Sequence, residues 1–459
     1  MGTSTAIIIG GGIGGLATAW RLQQRGWKVT VLEAGDRWGG VVQTRRTEGF
    51  TLELGPDSLI RTKPAGLQLL KDLGLADGIT GTGPDARSSL IARGNRLHKV
   101  PEGLYLLAPG RIWPFVWSPI ISWPGKFVML KDLWTRAGTG GDESLASFVR
   151  RRLGREALER LAQPMVSGIY TADPERLSLA ATMPQFLEME RTHRSLLKAM
   201  RARSKAEASH ASASGPRYGL FMTVPGGLAS IIDALVERLQ AGGADLRLGT
   251  TATAAVPVPG GWRVNDLTAD AVVCAQPAWA AAAVLRDADA NLSADLAGIA
   301  YASVATINFV FRKHQVAEPA AAGFVVPAVE GRVLLACTCA TRKWPGRAPA
   351  DTVVLRAFVG GALHGHHLER DDASLTAAVL ADLRDFLAIH GEPEDVVVSR
   401  WPKAMAQYEI GHLERVVRIR ASEKRLPGLA LVGNGYEGVG IPDIAAQADA
   451  AAARLSTPG

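Results

Sequence analysis

Ala6-Ile7-Ile8-Ile9, Gly10-Gly11-Gly12-Ile13-Gly14-Gly15 and Leu16-Ala17-Thr18-Ala19-Trp20-Arg21-Leu22 follow one another without a break. Four apolar residues in a row suit a strand buried on both faces. Gly10, Gly12 and Gly15 fill the G-x-G-x-x-G spacing. The first permits a tight turn, the second lets backbone approach a pyrophosphate, and the third lets the next helix pack close to the strand. That helix aims its first amides and its positive dipole end at the phosphates. A second strand, Lys28-Val29-Thr30-Val31-Leu32, ends at Glu33. The acid arrives near the roughly 20-residue interval expected of a carboxylate that bonds ribose hydroxyls. A glycine turn without a ligand would not explain strand, glycines, helix, strand and acid in one run. The acid also argues against a ribose 2′-phosphate, which leaves FAD or NAD rather than NADP.

The 459 residues allow roughly three domains' worth of core. A net charge of +7 and a pI near 9.4 favour anionic partners: a carboxylate substrate, an anionic membrane surface or nucleic acid. The dense run Arg150-Arg151-Arg152, with Arg155 in the same helical pattern, lacks interleaved aromatics for base stacking. A solvated helix face is expected there, and no nucleic acid. Cys274, Cys337 and Cys339 give neither the C-x-x-C redox spacing nor a second pair for zinc. That cysteine usage suits a reducing, cytoplasmic compartment. The first strand begins so close to Met1 that no signal peptide is expected, and Ala6 stands where a myristoylation pattern needs Ser or Thr.

Further along, Pro64 to Leu75 reads as a helix, and Ser89–Ala92 with Arg96–Val100 as a hairpin through Gly94-Asn95. Residues 104–134 carry Trp113, Trp117 and Trp123 among apolar neighbours, but Pro114, Pro119, Pro124 and Lys126 interrupt any membrane span. With Arg111, Lys126 and Lys131 beside them, these residues suit a monotopic patch at headgroup level; the alternative is an aromatic wall of an internal pocket. Residues 143–200 are helical by periodicity, and the Ala/Ser/Lys/Arg-rich stretch 201–217 reads as an exposed, mobile connection. A helix from Leu228 to Gln240 and strands at 245–249, 252–258, 262–265 and 271–275 follow. Residues 300–313 and 352–360 alternate like antiparallel strands, and 372–389 reads as a helix. His364-Gly365-His366-His367 could suggest a metal, but no partner ligands are evident and a solvated loop is expected. The end repeats the opening grammar: strand 429–432, then Gly433, Gly435, Gly438 and Gly440, then a helix from Pro442 to Arg454. Amides at such a helix start would stabilise negative charge on a reduced flavin.

The Gly35-Asp36-Arg37-Trp38-Gly39-Gly40 box after Glu33 resembles the FAD-dependent amine oxidase and protoporphyrinogen oxidase superfamily, in which R-x-G-G follows the ribose acid. Segments 53–58, Arg160 to Pro174, His193-Arg194-Ser195, Val224-Pro225-Gly226-Gly227-Leu228, Trp401-Pro402, Gln407-Tyr408, Gly411-His412-Leu413 and 431–443 extend the resemblance over nearly the whole chain. It is to the oxygen-dependent, FAD-containing protoporphyrinogen oxidase family.

The resemblance implies an α/β fold. A Rossmann-type FAD domain would be assembled from residues 1–75, 220–285 and 416–459. A substrate domain with an antiparallel sheet would take 76–98 and 286–415, and a helical, membrane-associating domain 99–205. It places FAD against Gly10, Gly11, Gly12, Ile13, Gly14, Gly15, Glu33, Ala34, Gly40, Val41, Gly55, Pro56, Asp57, Ser58, Asn434, Val439, Gly440 and Ile441. Ala252 falls where a backbone contact to adenine is expected, although Val is more usual there. Arg87 matches an arginine that pairs a substrate propionate, a role suited to its planar fork of donors. Gly168 matches a glycine whose carbonyl faces the tetrapyrrole. The implied reaction is hydride transfer from a bridging carbon to flavin N5, with dioxygen as acceptor and hydrogen peroxide released. No side chain is required as a base, and no metal is expected. The expected substrate is protoporphyrinogen IX, in haem biosynthesis; coproporphyrinogen III is the alternative, and a non-catalytic tetrapyrrole carrier the alternative of another class. Peripheral contact with the inner face of the cell membrane through 104–134 is expected, and a homodimer stays open.

Overall fold

A computed structural model describes residues 3–86, 88–105, 107–138, 140–209 and 221–457. Its first strand runs over Thr5–Ile9, buried from Ala6 onward as an apolar run requires. Five parallel strands lie in the order Asp245–Arg247, Lys28–Leu32, Thr5–Ile9, Ala271–Cys274, Leu429–Leu431. In chain order this is 3-2-1-4-5, so the strand order reverses between Thr5–Ile9 and Ala271–Cys274, where a dinucleotide crevice belongs. Helix Ile13–Gln23 packs between Ala229–Ala241 and Ile441–Ser456. Leu16, Ala19 and Leu22 share one core with Ile231, Leu235, Ala448 and Ala452.

The chain divides into two compact units. The first takes Met1–Gly81, Leu220–Ala300 and Leu413–Gly459 and contains the parallel sheet; the second takes Thr82–Gly219 and Tyr301–His412. The second unit is built on a seven-stranded sheet ordered Asp395–Ala406, Tyr301–Arg312, Thr352–Gly360, Ala336–Cys339, Gly323–Val325, Ser89–Arg93, Arg96–Lys99. All its pairs are antiparallel except Gly323–Val325 with Ser89–Arg93. Helix Asp372–Phe386 covers it, with Leu375, Val379 and Leu383 in the core of Phe309, Phe311 and Leu355. The α/β class and the antiparallel sheet are therefore as expected.

Several local expectations need correction. The stretch 201–209 is not a loose connection: helix Leu196–Ser209 runs through it, because Leu196, Ala199 and Met200 bury one face. Residues 210–217 lie outside the described residues. The strand expected at 252–258 begins only at Ala255. Before it, Gly249 and Thr250 donate their amides to the carbonyls of Gly35 and Glu33 at 2.8 Å, which draws the chain along the end of the second strand. The His364–His367 stretch is not a loop but two short helical turns with stacked rings. Burial pushes the His364 and His367 imidazoles down, and neighbouring charge from His366 adds to it. Among the described residues, no three His, Cys, Asp or Glu are grouped to hold a metal.

The largest departure is at Arg150-Arg151-Arg152, read as a solvated face. Arg152 is fully buried. Its Nε donates to Glu190 Oε1 at 2.6 Å, and one terminal nitrogen donates to Asp132 Oδ1 at 3.1 Å and to the carbonyls of Thr135 and Arg194. Asp132 also accepts from Ser195 Oγ at 2.6 Å and Leu197 N at 2.9 Å. Arg151 pairs with Glu143 and Glu190. The run is the hub that ties helices Leu145–Arg152, Pro184–His193 and Leu196–Ser209 together. No described helix is long and apolar enough to cross a membrane.

Candidate active site

Register puts the carboxyl ends of all five parallel strands in one row. Ile9 pairs with Leu32 and with Cys274, Leu32 with Arg247, and Cys274 with Leu431. Whatever follows those residues must emerge at one edge. The Gly10–Gly15 turn, Glu33, the 248–252 segment, Ala275 and the Gly433–Gly440 loop do so together.

Gly10, Gly12, Gly14 and Gly15 each have their own setting in the first turn. Gly10 sits at φ 107°, which L side chains rarely adopt. A β-carbon on Gly15 would overlap the Gly10 carbonyl oxygen, so helix and strand can meet this closely only without a side chain. At Gly12 a β-carbon would meet no atom within 4 Å. The space is open on the side where a phosphate must come. No side chain caps helix Ile13–Gln23, whose first intrahelical bond is Leu16 N to Gly12 O. Its opening amides therefore keep their donors for an anion. Gly14 lies against Ile444 and Val432, so the two ends of the chain meet at this turn.

The second glycine pair lies beside the first. Gly39 N donates to Gly11 O at 2.8 Å, and Gly40, at φ 57°, approaches Gly12 Cα. Gly55 in turn fits against the Val41 carbonyl, where any β-carbon would overlap it. Pro56, Asp57 and Ser58 follow, with Ser58 Oγ donating to Asp57 Oδ1 at 2.7 Å. Glu33 accepts from Gly11 N at 2.6 Å on one carboxylate oxygen and from Gly35 N at 2.8 Å on the other. Each oxygen keeps a further lone pair, which suits a ribose hydroxyl. Ala34 continues the same turn, and Ala252 lies two residues beyond the Thr250–Glu33 bond. This open trough, its uncapped helix start and a carboxylate at one end fit a dinucleotide.

The chain belongs to the flavin containing amine oxidoreductase family. The family's model matches residues 13–456. A Propionibacterium freudenreichii protein named coproporphyrinogen III oxidase is 36% identical, over 95% of this chain and 88% of its own. A Bacillus subtilis protein of the same name is 34% identical, over 98% and 97%. Chloroplastic protoporphyrinogen oxidase of Nicotiana tabacum is 29% identical, over 95% and 82%. A crystal structure from Exiguobacterium sp. 255-15, provisionally named a protoporphyrinogen oxidase, superposes with a TM-score of 0.88 at 31% identity, covering 99% of both chains. FAD is the cofactor this member of the family takes.

Of the residues expected at the substrate, Arg87 lies outside the described residues. Gly168 stands in the last turn of helix Gln163–Tyr170, where carbonyls lack intrahelical donors. It is exposed, and a β-carbon on it would meet nothing within 4 Å. A π-helical turn, Leu158–Ala162, precedes this helix, and Thr171 closes it at φ 49°. The Thr171 carbonyl accepts from Ala362 N at 2.8 Å, just past the positive-φ pair Gly360-Gly361. Gln407 Nε2 donates to Tyr170 O at 3.2 Å, and Tyr408 stacks on His412 with centroids 3.9 Å apart. The 407–412 box thus supports the helix end that carries Gly168.

Sequence reasoning missed the supports of the cofactor cleft. Glu53 is buried and accepts from Leu228 N at 2.9 Å and Thr44 Oγ1 at 2.6 Å, capping helix Ala229–Ala241. Gly227, at φ 86°, has no room for a side chain beside Thr44 and Glu53. The Leu-Glu-Leu-Gly and Val-Pro-Gly-Gly boxes are partners, 175 positions apart. No local pattern could have paired them.

Proposed function

We propose that this chain oxidises coproporphyrinogen III to coproporphyrin III, with dioxygen as acceptor and hydrogen peroxide as by-product. The reading is supported by bacterial relatives at 36%, 34% and 32% identity that carry that activity in their names. The net charge of +7 agrees with it, since this substrate keeps propionates where protoporphyrinogen IX carries vinyl groups. Oxidation of protoporphyrinogen IX is the second reading, favoured by the plant relatives and the Exiguobacterium structure.

Bound in its cleft, FAD supplies a hydride acceptor that dioxygen returns to the oxidised state. Gly10–Gly15 and Gly40-Val41 would hold its pyrophosphate side, Glu33 its ribose, and Asn434 with Val439–Ile441 its far end. Arg87 would pair a propionate, and the Gly168 carbonyl would accept from pyrrole N–H groups. The comparison that tests this is turnover of both porphyrinogens by the purified protein. Higher kcat/KM on coproporphyrinogen III is expected. Higher kcat/KM on protoporphyrinogen IX would select the second reading. Gly168→Val is expected to leave the melting temperature within about 2 °C of wild type, because the site is exposed and an added β-carbon meets no neighbouring atom within 4 Å. The same variant should raise KM about tenfold by crowding the macrocycle. An unchanged KM would remove Gly168 from the substrate site.

Within the same proposal, the aromatic surface rests on lipid. Trp113, Trp117 and Trp134 are 73%, 74% and 77% exposed, and Phe127 joins them. Monomeric soluble surfaces rarely show such a patch. Lys126 Nζ lies 4.5 Å from the Trp123 ring centroid and donates to the carbonyls of Val116 and Ser118, which fixes the two short aromatic helices together. Burial pushes its amine's pKa down, and Arg93 adds to that. Tryptophans beside cations match an anionic headgroup layer. Trp113→Ser with Trp117→Ser should cut partitioning onto phosphatidylglycerol vesicles about tenfold or more. Wild-type protein that ignores such vesicles would refute this surface role.

A further inference from the structure

We propose that two ion pairs, Arg420–Glu437 and Lys63–Asp443, fix the resting shape of the Gly433–Gly440 loop and make these four residues positioning residues for the flavin. The proposal rests on the reading that this loop faces the cofactor. The loop carries glycines at 433, 435, 438 and 440, a composition that by itself leaves the backbone free to wander. The structure pegs it at three points.

Arg420, from helix His412–Arg425, makes a two-pronged bond to Glu437, Nε to Oε1 at 2.8 Å and a terminal nitrogen to Oε2 at 2.5 Å. Its other terminal nitrogen donates to Leu431 O at 3.0 Å and to Glu423 Oε2 at 2.6 Å, and its guanidinium lies 5.0 Å from the Tyr436 ring centroid. One side chain therefore grips the end of the last strand, the ring at 436 and the carboxylate at 437. At the other shoulder Lys63 Nζ meets both oxygens of Asp443, at 2.6 and 2.7 Å. Asp443 Oδ2 accepts from Gly440 N at 3.2 Å, and Gly438, at φ 105°, has no room for a side chain beside that carboxylate. Between the shoulders Gln447 accepts from Gly433 N at 3.0 Å. A loop ordered before the cofactor arrives spares that ordering cost on binding.

Glu437 and Lys63 are both about half exposed (48% and 49%), so Glu437→Gln and Lys63→Met leave the core intact. The apoprotein melting temperature of the double variant should stay within about 2 °C of wild type, since the half-exposed partner is the one changed in each pair, Arg420 keeps Glu423 and Asp443 keeps the Gly440 amide. Its Kd for FAD, read by fluorescence on titrating apoprotein, should rise about tenfold. Arg420→Lys, which keeps the charge and loses the fork, should fall between. A wild-type Kd in the double variant overturns the proposal, whatever its melting temperature. Amide exchange separates this from the underlying reading. FAD should protect residues 433–441, and no protection there would sink the reading of the loop itself. Protection with an unchanged Kd would sink only the clamp.

Discussion

Gly12→Val is expected to give a folded protein that purifies without flavin. A β-carbon at Gly12 touches nothing in the protein within 4 Å, so the apoprotein should melt near wild type. The added branches would fill the trough beside the uncapped start of helix Ile13–Gln23. Crowding of this kind costs about 2–3 kcal/mol, which is roughly a hundredfold in Kd for FAD. Gly15→Val makes the contrast. Its β-carbon would overlap the Gly10 carbonyl, so helix and strand must separate, and both stability and flavin should be lost. Circular dichroism melts and the flavin content of purified protein distinguish the two. Normal flavin content in Gly12→Val would mean that the turn does not hold the pyrophosphate.

The second large effect concerns Arg152→Met. The substitution leaves Asp132, which is fully buried, without its cation, and leaves Glu190 with Arg151 alone. Breaking one side of such a pair typically costs about 3–5 kcal/mol. For a unit of this size that is about 10 °C in melting temperature. The loss should be pH-dependent. Burial works against the Glu190 charge, but Arg151, Arg152 and the Gly138 amide outweigh it, and its pKa is held below the ordinary carboxylate value. A depressed carboxylate pKa contributes stability that is present above the unfolded pKa and lost as pH falls through the folded one. Wild type should therefore lose its advantage over Arg152→Met below about pH 4. Equal melting temperatures at pH 7 would contradict the network's role.

What the sequence disclosed followed from how local each signal is. Gly10, Gly12, Gly15 and Glu33 lie within one strand-helix-strand run, so their spacing alone places them at one sheet edge. The Leu429–Leu431 strand and its glycine loop repeat the same grammar, and parallel pairing of Cys274 with Leu431 brings them to that edge. Arg152 was illegible for the opposite reason. A run of three arginines has the look of a wet surface, and the acids that bury it come from positions 132 and 190. Glu53 and Arg420 hide likewise: each acts through a partner fixed by the tertiary fold. The helix through 201–209 was missed because its buried face rests on three residues at its start, Leu196, Ala199 and Met200, while the sequence after them is rich in Ala, Ser, Lys and Arg.

The most direct measurement is the visible spectrum of the purified protein under nitrogen. If a flavin held at the Gly10–Gly15 turn accepts hydride from a porphyrinogen, adding coproporphyrinogen III will bleach the flavin band and form porphyrin, and admitting air will restore the band. A yellow protein whose band is unchanged by either porphyrinogen, at concentrations where the tetrapyrrole binds, would contradict the account.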